Sequence, residues 1–198
     1  QWEEEIPAAA LYRVNAGGIT MAAVDASSPD FQALRFGALG TITGLTVDGI
    51  VGEEAVGEGT TIDTSLVDTT YLPEDLFRTN LYGSEVEGTY MSFYFDVPEG
   101  DYTVLLHWLD DKISGAGFRI MDIYIEGIQV IADYDVYANA GGQNIAITES
   151  VFTNIDDGEL NLVIFKDSSI PFISGIEILS TDPPLCYPLS LSSGENGG

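Results

Sequence analysis

The sequence predicts an all-β sandwich, and three observations carry that reading. Short apolar runs rich in Val, Ile, Tyr and Phe recur along the chain, each bounded by Gly, Pro or Asp. No run has the length and period of a long helix; residues 73–77 supply at most one helical turn, with Pro73 at its first position. With 45% hydrophobic residues in 198, the chain builds one well-buried core and is too short for two comfortable ones. Many short strands at close spacing fold as two packed antiparallel sheets.

Residues 1–10 read as an acidic leader containing Trp2, and residues 11–14 as a first strand that runs into Asn15, Ala16, Gly17 and Gly18. The paired glycines make either a tight turn or a place where something else comes close. Residues 19–24 read as a second strand, and Ser, Pro and Asp make 25–31 a loop. Residues 38–70 are rich in Gly and Thr and read as long loops with brief strands, an unusual length of irregular chain for a compact domain.

The pattern then sharpens. Residues 90–97 and 102–109 read as a hairpin turned by the acidic 98–102 segment. A second hairpin joins 118–125 to 128–134 through Glu126 and Gly127. Strands at 144–152, 159–165 and 172–179 follow, the first two separated by the turn Asp156, Asp157, Gly158. The total is roughly nine strands. Several are apolar on both faces, which predicts cover by the opposite sheet on one side and by loops on the other. Residues 181–198 read as a tail or linker rich in Pro, Ser and Gly, in which Leu185, Tyr187, Leu189 and Leu191 alternate as in a strand that pairs with its own domain or a neighbour.

Charge narrows the functions. The chain carries 32 acidic and 6 basic residues, a net charge of −26 at pH 7. Such a surface repels nucleic acid and anionic membranes, and no apolar run is long enough to span a bilayer. The acidity fits adaptation to high salt, general solubility or cation binding; calcium is the cation that hard carboxylate ligands suit, but no stretch has the spacing of a calcium-binding helical loop. Metal binding is therefore left open, and no other cofactor is expected. Gln1 in place of Met is what removal of a signal peptide leaves, which points to an extracellular or cell-surface protein. The single cysteine, Cys186, forms no internal disulfide. No Asn-x-Ser/Thr acceptor occurs, so any glycan on the chain is O-linked.

Catalytic constellations are missing. The one imidazole, His107, sits in a strand with Leu106 and Trp108 pointing the other way, as a packed sheet histidine does. There is no Gly-x-Ser-x-Gly elbow, and the glycine-rich 44–59 segment lacks the lysine of a phosphate-cradling loop. Carboxylates are too many for spacing to select a hydrolytic pair; Asp110 and Asp111 stand out only because they end a strand. What remains is recognition: an exposed aromatic near a strand end stacks on a sugar face while Asp, Asn and backbone amides take its hydroxyls. Tyr71, Tyr82, Tyr134 and Tyr137 are the candidates.

Six segments, in series over residues 11–180, resemble the malectin and malectin-like domains. They are YRVNAGG (12–18), LFRTNLYG (76–83), FDVPEGDYTVLLHWLD (95–110), GFRIMDIYIEGIQVIADYDVYANAGG (117–142), GELNLVIF (158–165) and PFISGIEIL (171–179). The resemblance implies a galactose-binding-like jelly roll acting as a non-enzymatic carbohydrate-binding module. In the namesake lectin of the endoplasmic reticulum, loop aromatics and an Asp hold a glucose disaccharide. Carried over by motif, the loop tyrosine falls on Tyr82. The paired aromatics after the central hairpin fall on Lys112 and Ile113, and the ligand Asp on Ser169, with Asp167 two residues before it. The resemblance therefore implies a carbohydrate-binding rim at Asn15, Gly17, Gly18, Tyr82, Asp110, Asp111 and Asp167. A carbohydrate or glycoprotein is the expected partner. The competing expectation is a structural subunit of an extracellular filament or matrix, self-associating through its termini, the C-terminal tail above all, with a degenerate sugar site; a carbohydrate hydrolase ranks third.

Overall fold

The computed structural model describes residues 9–24 and 29–181. The acidic leader before residue 9, the 25–28 part of the loop, and the C-terminal tail with Cys186 and its alternating Leu and Tyr residues lie outside the described residues.

The described residues form thirteen strands. In chain order they are β1 (Ala9–Ala16), β2 (Gln32–Leu34), β3 (Leu45–Asp48), β4 (Gly52–Ala55), β5 (Thr79–Tyr82), β6 (Tyr90–Asp96), β7 (Gly100–Trp108), β8 (Ile120–Ile125), β9 (Ile128–Tyr134), β10 (Ile147–Ile155), β11 (Glu159–Ser168), β12 (Phe172–Ile173) and β13 (Gly175–Ser180). One five-stranded sheet has the order β10-β7-β13-β1-β2, a second the order β3-β6-β11-β8-β9, and a small third sheet the order β12-β5-β4. All pairs are antiparallel except β1 with β2, which are parallel.

Alternation makes the core. Val104, Leu106 and Trp108 of β7 and Ile176 and Ile178 of β13 point inward from the first sheet. Met91, Phe93 and Phe95 of β6, with Leu160, Leu162 and Ile164 of β11, face them from the second. Fully burying one such side chain stabilises the fold by about 1.5–3 kcal/mol. The Trp108 indole donates to the Phe172 carbonyl at 2.7 Å, so its one polar atom is satisfied.

A second core lies on the outer face of the first sheet, where Phe31, Val56, Ile62, Leu72, Leu76, Phe77, Leu109 and Ala146 pack together. This explains strands that are apolar on both faces. It also explains the 38–70 region: the brief strands expected there are β3 and β4, and the chain beyond β4 is ordered by covering the sheet. Under it, His107 is fully buried, bonded through Nδ1 to Thr148 and through Nε2 to Glu177.

Several expectations need correction. Residues 19–24 form no strand; Met21 makes only a bridge to Phe31. The pair at 90–97 and 102–109 is not a hairpin, because β6 and β7 lie in opposite sheets. Their apolar faces meet across the core, and the turn carries the chain over the edge of the sandwich, clipped by the Tyr102 hydroxyl donating to the Pro98 carbonyl at 2.7 Å. The turn at Gly158 likewise joins strands of different sheets, β10 and β11. The strand expected at 172–179 breaks into β12 and β13, which serve different sheets. The single turn near Pro73 is a 3-10 turn over Glu74–Arg78, with Pro73 just before it. The β8–β9 hairpin stands as expected, with Glu126 and Gly127 both at positive φ. A short helix, α1 (Val136–Ala140), is capped by the Asp135 side chain and ended by left-handed Gly141.

The glycines after β1 turn tightly because the chain itself comes close. Gly17 has φ +78, and a Cβ there would stand 2.4 Å from the Asn80 carbonyl oxygen of β5. Gly127 has φ +70 with open space around it. Gly127→Ala should therefore cost about 1–2 kcal/mol of backbone strain alone. Gly17→Ala should cost distinctly more, because the obstacle is backbone. Urea unfolding of the two variants measures the difference, and equal losses would show that the approach to Asn80 is unimportant.

Candidate functional site

The third sheet forms one rim of the sandwich. Gly52 of β4 stands directly opposite Tyr82 of β5, and Tyr82 also pairs with Phe172 of β12. The Tyr82 ring lies across Gly52, since a Cβ at residue 52 would be 2.3 Å from the phenol oxygen. Gly83 packs as closely on Pro171 and Met91. These contacts set the ring at the wall of an open groove of about 530 Å³, lined by Val51, Glu53, Glu54, Tyr82, Gly83, Ser84, Glu85 and Ile170.

The groove is acidic. Both Glu53 oxygens accept from Arg35 Nε, at 2.9 and 2.8 Å, and one also accepts from the Phe36 amide at 2.9 Å. The Arg35 hydrogen bond, ahead of the Phe36 amide, holds the Glu53 carboxyl below its ordinary range. Glu54 reaches Lys112 Nζ at 3.3 Å. Lys112 also donates to Asp111 at 2.8 Å, and that bond is the main reason its ammonium holds its proton above the ordinary range.

The residues expected to form the rim divide into those that hold the loops and those that face solvent. Asp110 is 2% exposed. Its Oδ1 accepts from the amides of Lys112 and Ile113 at 2.9 and 3.0 Å, and its Oδ2 meets Arg119 at 2.9 Å. Arg119 in turn lies over the Phe172 ring, 4.6 Å from its centroid. Asp111 accepts from the Gly57 amide at 3.1 Å, pinning the same loop to the chain after β4. Asn15 is buried; it donates to the Ile19 carbonyl at 2.7 Å and accepts from Thr79 at 3.3 Å. A Cβ on Gly18 would stand 2.1 Å from the Asn15 amide nitrogen. Asn15 and Gly17 thus brace β5 from behind, with Gly18 packed on the Asn15 side chain. Asp167 is exposed at the end of β11, beside a bulge against β8, and does not line the groove. Of the expected set, only Tyr82 stands in the groove wall.

The other aromatics are dispersed. Tyr134 is buried, with its hydroxyl donating to Glu149 at 3.0 Å, and burial pushes its phenol well above the ordinary range. Tyr71 is exposed and Tyr137 half-buried, but neither lines the groove. Glu53, Glu54, Ser84, Glu85 and Ile170 escaped the sequence reading. The adjacent carboxylates at 53 and 54, in a glycine-rich run, were the available signal. Among the described residues no group of three or more His, Cys, Asp or Glu is placed to hold a metal, and no helix is long and apolar enough to cross a membrane.

Two five-stranded sheets packed face to face, with a small third sheet beside them, define a β-sandwich of the jelly-roll type. The malectin domain model matches residues 48–177, and the chain belongs to that family. Receptor-like protein 4 of Arabidopsis thaliana is 26% identical over 112 residues, which cover 54% of this chain and 18% of that protein. The ANX1 ectodomain of Arabidopsis thaliana superposes with a TM-score of 0.75 at 14% identity, covering 88% of this chain and 49% of that one. A complex of the plant peptide RALF23 with FER and LLG2 contains a chain that superposes with a TM-score of 0.73 at 17% identity, covering 86% of this chain and 48% of that one. The chain spans about half the length of these solved chains and less than a fifth of the curated relative.

Two outcomes check the division of roles. Asp110→Ala should destabilise the domain by about 3–5 kcal/mol, because it leaves Arg119 buried without its carboxylate; denaturant unfolding reads this directly. The Glu53–Arg35 pair behaves differently, since it is only partly covered from solvent. A carboxyl held below its ordinary value adds stability above its unfolded pKa, which is lost as pH falls through the lowered value. Glu53→Gln should therefore lower the unfolding midpoint slightly at neutral pH, with the difference vanishing in acid.

Proposed function

We propose that this is a non-enzymatic, extracellular recognition domain that takes carbohydrate in the rim groove beside Tyr82. The observation that carries the reading is the pairing of one strand-fixed aromatic ring with a row of acceptors. Tyr82 supplies an apolar face for the C–H side of a sugar ring, while Glu54, Glu85 and Ser84 accept or exchange hydrogen bonds with its hydroxyls. Ile170 and Val51 close the apolar part of the wall. A carboxylate-lined groove favours neutral or amino sugars over uronic acids. The extracellular setting is supported by the ectodomains to which the fold is similar.

The loop at 110–113 adds little to a sugar platform. Lys112 is engaged with Asp111 and Glu54, and Asp110 is consumed in closing the loop. Any specificity therefore comes from β4, β5 and the turn after β5, and differs from that of a glucose-disaccharide lectin.

A protein ligand in the same groove is the second reading, and the RALF23 complex among the structural neighbours favours it. The test is a neutral- and amino-glycan array followed by calorimetry on the best ligand. Tyr82→Ala should weaken binding at least about tenfold, while Asp167→Ala should leave it unchanged. Loss of binding in Asp167→Ala but not in Tyr82→Ala would place the site elsewhere. Failure of every glycan, together with capture of a peptide by a Tyr82-dependent contact, would give the groove to the second reading.

A further inference from the structure

The described sheets end in strands of very unequal character. β2 has three residues and β3 and β4 have four each. β9 is longer, but its pairing with β8 shifts register twice and Asp133 takes a positive φ of 51. Short, broken edges of this kind resist pairing with other chains. β10 has none of these protections. Its nine residues, ITESVFTNI, run in unbroken register along β7 from Ile147 opposite Trp108 to Ile155 opposite Gly100. The strand contains no Lys, Pro or Gly. Ser150 and Asn154 are exposed, and Phe152 shows 64% of its surface to water. Among the described residues, one side of β10 bonds β7 and no strand pairs with the other, which offers a row of backbone donors and acceptors.

We propose that the β10 edge is a self-association surface, at which β10 pairs antiparallel with β10 of a second copy about a two-fold axis at Val151. The strand is complementary to itself in that register. Ile147 falls opposite Ile155, Glu149 opposite Thr153, and Ser150 opposite Phe152. The one charged residue, Glu149, meets no like charge and is already held by the Tyr134 hydroxyl. The two Phe152 rings become diagonal neighbours on the outer face, a separation that aromatic side chains bridge. An unrelated strand would have to match these features by chance; a second copy matches them by symmetry. The result is one sheet continuous through both copies.

The charge of the chain sets the conditions. Each copy carries −26, so approach is opposed at low ionic strength. The Debye length falls from about 10 Å at 0.1 M salt to about 3 Å at 1 M, and the backbone pairing is not weakened by that screening. Association through β10 therefore strengthens with salt. A contact of one strand pair is small, so the dimer is weak and reversible.

Sedimentation velocity on the full chain at about 0.1 M and 1 M NaCl tests the proposal. A monomer–dimer equilibrium shifted toward dimer at the higher salt is expected. Ser150→Lys/Phe152→Lys, at two exposed positions, should weaken dimerisation at least about tenfold with thermal unfolding unchanged. Amide hydrogen exchange in residues 147–155 of the unaltered chain should slow as concentration rises. Monomer under all conditions, a dimer untouched by the double substitution, an association that weakens with salt, or slowed exchange only outside 147–155 would each overturn it. So would pairing of β10 solely with a strand from a different protein.

Discussion

A buried row of polar side chains on the outer face of the first sheet is the constraint to which the rest of the domain answers. Arg13, Glu177 and His107 are 5%, 1% and 0% exposed. Glu177 forms an ion pair with Arg13, its Oε2 2.6 Å from Nε, while its other oxygen bonds His107 at 3.1 Å, and His107 passes on to Thr148. The row crosses β1, β13, β7 and β10 in turn. Charges removed from water are tolerable only when paired and shielded, because breaking one partner leaves the other uncompensated. Shielding comes from Phe31, whose ring lies 5.0 Å under the Arg13 guanidinium, and from Phe77, edge-on to the imidazole at 6.1 Å.

Covering that row dictates where the irregular half of the chain goes. The chain between β4 and β5 places Val56, Ile62, Leu72, Leu76 and Phe77 over the sheet, and Arg78 ties the 3-10 turn back by donating to the Thr60 carbonyl at 2.7 Å. Immediately after Phe77 the chain enters β5. Gly17 and Asn15 receive β5 from the other side. The position of Tyr82 is therefore fixed by packing that begins far from the groove, and the paired glycines after β1 serve that packing.

Periodicity made the long strands legible because β6, β7, β8, β10, β11 and β13 each bury alternate side chains in one core. It could not show which strands pair. In a sandwich, consecutive strands that face each other across the core carry the same alternation as a hairpin, which is why β6 and β7 read as one. Strands such as β4, GEEA, hold no apolar pattern; they exist because neighbouring backbone pairs with them, and that information lies in the fold. The site was less legible for a related reason. Asp110 and Asp111 end a strand as ligand-binding carboxylates do, but a carboxylate that caps a loop has the same sequence signature. Only the direction of the oxygens, toward the amides of residues 57, 112 and 113, separates the two.

The groove beside Tyr82 and the β10 edge occupy separate parts of the architecture, so the two proposals do not exclude each other. β10 closes one side of the first sheet, and β7 and β13 lie between it and β1. The groove belongs to the third sheet, whose β5 is braced by the end of β1. A strand added at β10 extends the sheet away from β1, leaving Tyr82 and its carboxylates open. Two copies joined there would present two grooves on one rigid body, and a ligand carrying repeated units would bind both with an effective concentration set by that geometry. An open groove with a single aromatic wall makes few contacts per site. Pairing of sites is the physical route by which such a groove gains strength without new contacts.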